Sequence, residues 1–176
     1  CRTWEEMVKA VCKPSSIFIE EGTELLVGEF GRKYQVYYSI LQLISKGMTT
    51  QSQIDSIIGK NSGRYLDTLE TEYSLIRKRR PMWAKPGSQG VKFYIDDCFL
   101  TFWFRFVESN RSMVELGKYE LLEEFLRREY VQYSGVVLEK YFRQLYGEQE
   151  RVTEVSNWWD SKGENEIDLM ALQRLD

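Results

Sequence analysis

Histidine is absent from this chain of 176 residues, and cysteine and proline occur three times each. No apolar run reaches the ~18–20 residues that span a bilayer, and no secretory leader is visible. Without histidine there is no histidine-based catalytic triad and no zinc site that needs imidazole. Cys1, Cys12 and Cys98 are odd in number and lack metal-ligand spacing, so they suggest a reducing, cytoplasmic setting with no membrane partner. Internal repeats and low-complexity linkers are also missing. What is present is a hydrophobic content of 43% with 14% aromatics, enough to build a packed core and to exclude global disorder.

The clearest organisation lies in residues 34–97. YQVYYSILQLISKG puts Tyr34, Tyr37, Leu41 and Ile44 at helical spacing and stops at Gly47. In TTQSQIDSIIGK, Thr49 or Thr50 caps a short helix carrying Ile54, Ile57 and Ile58. SGRYLDTLETEYS is a third helix with Tyr65, Leu66, Leu69 and Tyr73 inward. SLIRKRR, the loop PMWAKPGSQG and VKFYIDD then read as a β-hairpin with a long tip. Three helices and a two-stranded wing make a winged helix-turn-helix. Beyond it, CFLTFWFRFV is aromatic on both faces and is expected to pack between that body and the C-terminal elements. Two amphipathic helices, YELLEEFLRREYVQYSG and GVVLEKYFRQLYGE, come next, then a strand, a turn at Trp158-Trp159 and a second strand. One of those tryptophans is expected to seal the second of these helices, the other to pack toward FWFRF.

Charge is distributed unevenly. Residues 73–94 hold Arg77, Lys78, Arg79, Arg80, Lys85 and Lys92 with no acid, in a chain whose formal net charge is −3. The outward face of the third helix carries Arg64 but also Asp67, Glu70 and Glu72, so as a recognition helix it would repel phosphates. Contact with double-stranded DNA therefore falls to the wing: Arg77, Lys78, Arg79, Arg80 and Lys85, with Arg64 beside them. Strand alternation lets only half of the strand cations face one partner. A packing or protein-docking role for the same module, including assembly with a second copy, explains the charges equally.

Two carboxylates stand out near the end. Glu139 lies on a helix in GVVLEKYF, and Asp168 on a strand in EID. Helix glutamate followed by strand aspartate is the order in which PD-(D/E)xK nucleases present the first acids of a divalent-cation site, whose hard ion wants oxygen ligands and whose chemistry wants a nearby lysine. In this reading Glu139 and Asp168 are both the catalytic and the metal-binding candidates. No lysine follows Lys162, so the Glu-x-Lys part of such a site is not in the sequence, and the site is at most half present.

LLVGEFGRKYQVYYSILQLISKGMTTQSQIDSIIG, GRYLDTLETEYSLIRKRRP, YIDDCFLTFWFRFV and VSNWWDSKGENEIDLMAL together carry a resemblance that spans nearly the whole chain. The chain resembles the C-terminal region of a family of archaeal and bacterial AAA-type (STAND-like) ATPases. In that family a P-loop domain is followed by a winged helix and a domain of unknown function similar to the PD-(D/E)xK nuclease core. The resemblance implies a mostly α fold with α+β elements: a winged helix-turn-helix followed by a partial restriction-endonuclease-like α/β domain. It divides the chain into 1–30, a helical tail of the ATPase lid, 31–98, the winged helix, and 99–176, the partial nuclease-like domain. The chain has no G-x-x-x-x-G-K-[ST] loop, so ATP and Mg²⁺ are expected only on the parent protein, upstream, or at a site completed downstream. The expected function is thus a winged-helix module docking DNA or a partner beside a degenerate nuclease-like domain. The alternatives are a metal-dependent nuclease completed by downstream residues and a purely structural assembly domain.

Overall fold

A computed structural model describes residues 3–14, 16–30, 34–85, 90–160 and 164–174. The fold is mostly helical with two small antiparallel sheets, the mixed α+β class expected from the sequence. Helix α1 (Trp4–Val11) starts where the Thr3 hydroxyl accepts from the Glu6 N–H, and it buries Val8 and Val11. Helix α2 (Ile17–Phe30) falls within the segment expected to be a helical tail, residues 1–30. It packs on α3 (Tyr34–Ser45) and on the aromatic segment further along. The expected boundary at residue 31 and the side chain of Tyr34 lie outside what the structure describes.

Local sequence fixes the three-helix body. Gly47 adopts φ +90°, the left-handed conformation that ends α3 at low steric cost. Helix α4 (Gln51–Ile58) opens on a complete capping box: the Thr50 hydroxyl accepts from the Gln53 N–H while Gln53 Oε1 accepts from the Thr50 N–H at 3.0 Å. Thr50→Ala should therefore cost about 1 kcal/mol in urea unfolding, with Thr50→Ser keeping most of that stability; equal loss from both would show that the cap contributes nothing. Helix α5 (Gly63–Thr71) buries Leu66 and Leu69, while Tyr65 and Tyr73 are half-buried and meet the Tyr37 ring edge to face. The wing follows as β1 (Ile76–Arg79) paired antiparallel with β2 (Lys92–Ile95), Ile76 opposite Ile95 and Arg79 opposite Lys92. Ile76 and Phe93 turn into the core, and the Phe93 N–H donates to the Thr49 carbonyl at 2.7 Å, tying the wing to the start of α4. Residues 86–89 of the expected wing tip lie outside the described residues.

The aromatic segment forms α6 (Cys98–Phe102), a π-helical turn over Trp103–Val107, a 3-10 turn over Glu108–Asn110 and α7 (Arg111–Glu115). Trp103, Phe104 and Phe106 of the wide turn are all fully buried, because the segment is covered on both sides. Trp103 and Phe104 meet Tyr38 of α3 edge to face, and Phe102 and Phe106 meet Tyr133 on the other side. The segment is thus a seam between the winged body and α8 (Tyr119–Gly147).

Here the structure corrects one expectation: the two anticipated amphipathic helices are one helix of 29 residues. Gly135 marked the supposed break. It lacks the positive φ of a helix stop, and an interior glycine costs only about 1 kcal/mol, which its helix-forming neighbours offset. The chain then turns into β3 (Val152–Trp159), paired antiparallel with β4 (Glu166–Gln173). The strand–turn–strand order is as anticipated, but Trp158 and Trp159 belong to the end of β3, paired with Ile167 and Glu166, and not to the turn. Trp159 is buried, but its neighbours are the Lys92 ammonium, 4.6 Å from its ring, and Gly90, so it seals the wing against the C-terminal hairpin. Among the described residues, no helix is long and apolar enough to cross a membrane.

Candidate nucleic-acid interface

The wing does not project freely. Its first strand lies against α8 and β3: the Met82 N–H donates to the Asn157 carbonyl at 2.7 Å, and the Ser156 hydroxyl to the Arg80 carbonyl at 3.3 Å. Lys92 reaches Glu166 at 2.7 Å. These contacts sort the wing cations into two sets, and the division cuts across strand alternation: Arg77 and Arg79 share a face of β1, yet Arg79 is covered by α8 while Arg77 stays in solvent.

Arg79 is in the inner set. Its guanidinium lies over the Tyr94 ring at 4.4 Å and donates to Glu139 Oε1 at 3.1 Å. The same oxygen accepts from Arg143 at 2.6 Å and from the Asn157 amide at 2.9 Å. Asn157, fully buried, also donates to the Asp168 main-chain carbonyl and accepts from Arg143. Burial, and next the nearby positive charge of Arg143, lower the Arg79 pKa, while burial first and Glu166 second push the Tyr94 hydroxyl up. Through its ion pairs with both guanidinia, Glu139 neutralises two arginines.

The two acids singled out from the sequence therefore part company. Glu139 sits at the centre of this network, whereas Asp168 enters it through its backbone and its side chain is exposed. Two guanidinia already occupy the charge-balancing positions around Glu139 that a divalent ion would need. Among the described residues, no group of three or more histidine, cysteine, aspartate or glutamate side chains is placed to hold a metal.

The outer set is exposed. Arg77 pairs with Asp96 at 2.7 Å yet keeps most of its side chain in solvent, and Lys78, Arg80 and Lys85 are exposed. Arg64, also exposed, lines a separate depression with Asn61, Tyr65 and Glu72, and the structure does not join it to the wing cations. A groove of about 580 Å³ runs between β1, α8 and β3, lined by Arg77, Lys78, Arg79, Arg80, Lys140 and Arg143 with Asp96 as its carboxylate. Lys140 is fixed there by the Asp96 main-chain carbonyl. Lys140 and Arg143 escaped sequence reasoning. Their i,i+3 spacing beside Glu139 was the available signal, since it puts both on one face of α8. Six cationic side chains around one acid make a groove suited to a polyanion.

A three-helix body with a two-stranded ribbon, joined by an aromatic seam to a helix and hairpin, defines an α+β chain with one strongly basic groove. Residues 103–176 match the model of the DUF234 family, described as archaea bacterial proteins of unknown function. The chain is also 30% identical over 179 residues to an uncharacterized protein of Methanocaldococcus jannaschii, an alignment covering 96% of this chain and 39% of that protein. The chain thus spans about two fifths of the relative's length. No solved structure matches it.

Proposed function

We propose that this chain is a nucleic-acid docking module whose contact surface is the groove between the wing and α8. The observation that carries this reading is the convergence of four wing cations with Lys140 and Arg143 on one concave surface. Phosphates spaced along a duplex backbone are the ligand such a row of charges fits, and the acidic outer face of α5 keeps that helix out of the major groove. Arg79 and Arg143 are held rigid by Glu139, while Arg77, Lys78 and Arg80 reach outward.

In the same reading the chain is the C-terminal part of a larger AAA-type ATP-binding protein of the cytoplasm. Residues 1–30 then end the ATPase lid, 31–98 form the winged helix, and 99–176 are a nuclease-like domain without catalysis. ATP and Mg²⁺ would be bound elsewhere in the parent. The resemblance in sequence supports this, as does the much greater length of the Methanocaldococcus relative.

The test is fluorescence anisotropy of a labelled duplex across a salt series. Lys78→Glu with Arg80→Glu, both on exposed side chains, should weaken binding at least about tenfold at low salt and reduce the magnitude of the salt slope by roughly 2. Unchanged affinity in that variant, or wild-type binding indifferent to salt, would sink the proposal. Arg79 is unsuitable for this test, because its replacement disturbs the Glu139 network.

A further inference from the structure

Helix α8 changes its amphipathic sense halfway along. In its first half Leu122, Leu126 and Tyr133 are buried against the body, and the outward positions are charged: Glu120, Glu124 and Arg128. In its second half Lys140 and Arg143 face the groove, and Glu139 is taken up by Arg79 and Arg143. The apolar residues there point the opposite way. Val131, Leu138, Tyr141, Phe142, Leu145 and Tyr146 fall within an arc of about 140° at 3.6 residues per turn, and all are exposed, Val131 by 78% and Leu138 by 54%. A patch of six large apolar side chains is of the size that marks an interaction surface.

The spacing says what kind of surface it is. Positions 131, 135, 138, 142 and 145 repeat as 4-3-4-3, the seam of a helix that pairs with another helix. The seam is also complementary to itself when reversed. With a two-fold axis beside Leu138, Phe142 faces Gly135 of a second copy, where a Cβ would meet nothing within 4 Å. Val131 faces Leu145 and Tyr146. Arg128 near one end comes level with Glu148, the exposed cap residue at the other. A large ring against an open notch and opposite charges at the ends are both satisfied by the antiparallel arrangement.

We infer that two copies of this chain associate through an antiparallel pairing of the second halves of α8. The pairing leaves the groove open, since Lys140 and Arg143 lie on the other side of the helix. Analytical ultracentrifugation of residues 1–176 over a concentration series should show a reversible dimer. Leu138→Glu should weaken it by about a hundredfold, because two carboxylates would be buried together at the axis. Its far-UV circular dichroism should match the parent's. A second measurement does not depend on that variant folding. In a background with Cys1 and Cys98 changed to serine, Val131→Cys and Leu145→Cys chains are mixed and mildly oxidised. Antiparallel pairing joins one variant to the other. Self-joining of each variant, or a monomer at every concentration, overturns the inference, the latter leaving the face to a different protein.

Discussion

Glu139→Ala should lose about 3 kcal/mol of folding stability, read as a drop in thermal midpoint of roughly 6–12 °C. The substitution removes one carboxylate oxygen that accepts from Arg79, Arg143 and Asn157 together, and leaves two guanidinia facing each other with little water to solvate them. Unpaired buried charge is the costly outcome, far more than loss of an exposed ion pair. The side chains of Arg79, Glu139 and Arg143 each retain about a fifth of their exposure, which places the effect at the low end for buried pairs. Asp168→Ala, by contrast, should stay within about 0.5 kcal/mol of the parent, since its carboxylate is exposed and its carbonyl, the atom that enters the network, is untouched. Equal stability of the two variants in denaturant titrations would show that Glu139 does not anchor the wing.

Trp103→Ala should cost about 3–5 kcal/mol, the range for removing a fully buried large aromatic ring. The indole is fully buried, its N–H donates to the Ile19 carbonyl at 3.2 Å, and its ring meets Tyr38 and Phe104 edge to face. Against a total stability of about 5–15 kcal/mol for a domain, that loss alone should leave a substantial unfolded fraction on mild heating. Gly22 of α2 completes the site: a Cβ there would overlap the indole ring. Gly22→Ala should therefore destabilise the parent, yet do so far less in a Trp103→Phe background, where the smaller ring vacates the space. Strict additivity of the two changes in urea unfolding would contradict direct contact between them.

Much of this was legible in the sequence because it is local. The Thr50 cap, the Gly47 stop and the alternation of β1 each depend on residues within a turn or two, and the winged order of elements came from them. The aromatic seam was legible too, since a segment apolar on both faces has nowhere to go but between two layers. The continuity of α8 was not, because Gly135 signals a stop only if its backbone adopts a left-handed conformation. Nor was the partner of Arg79, 60 residues away in sequence. Alternation separates residues 77 and 79 from 78 and 80 without saying what covers either face. The roles of Lys140, Arg143 and Asn157 exist only once β1, α8 and β3 have met.

Helix α8 has a mechanical corollary. Its 29 residues make a rod about 43 Å long, stiff because bending it would stretch its hydrogen bonds. Near one end α1 grips it, with Trp4 stacked on Tyr130 and Glu5 bound to Arg127. Toward the other, Glu139 and Arg143 grip the wing. α1 and the cationic wall are thus fastened to one continuous helix, with no break in secondary structure between the two attachments.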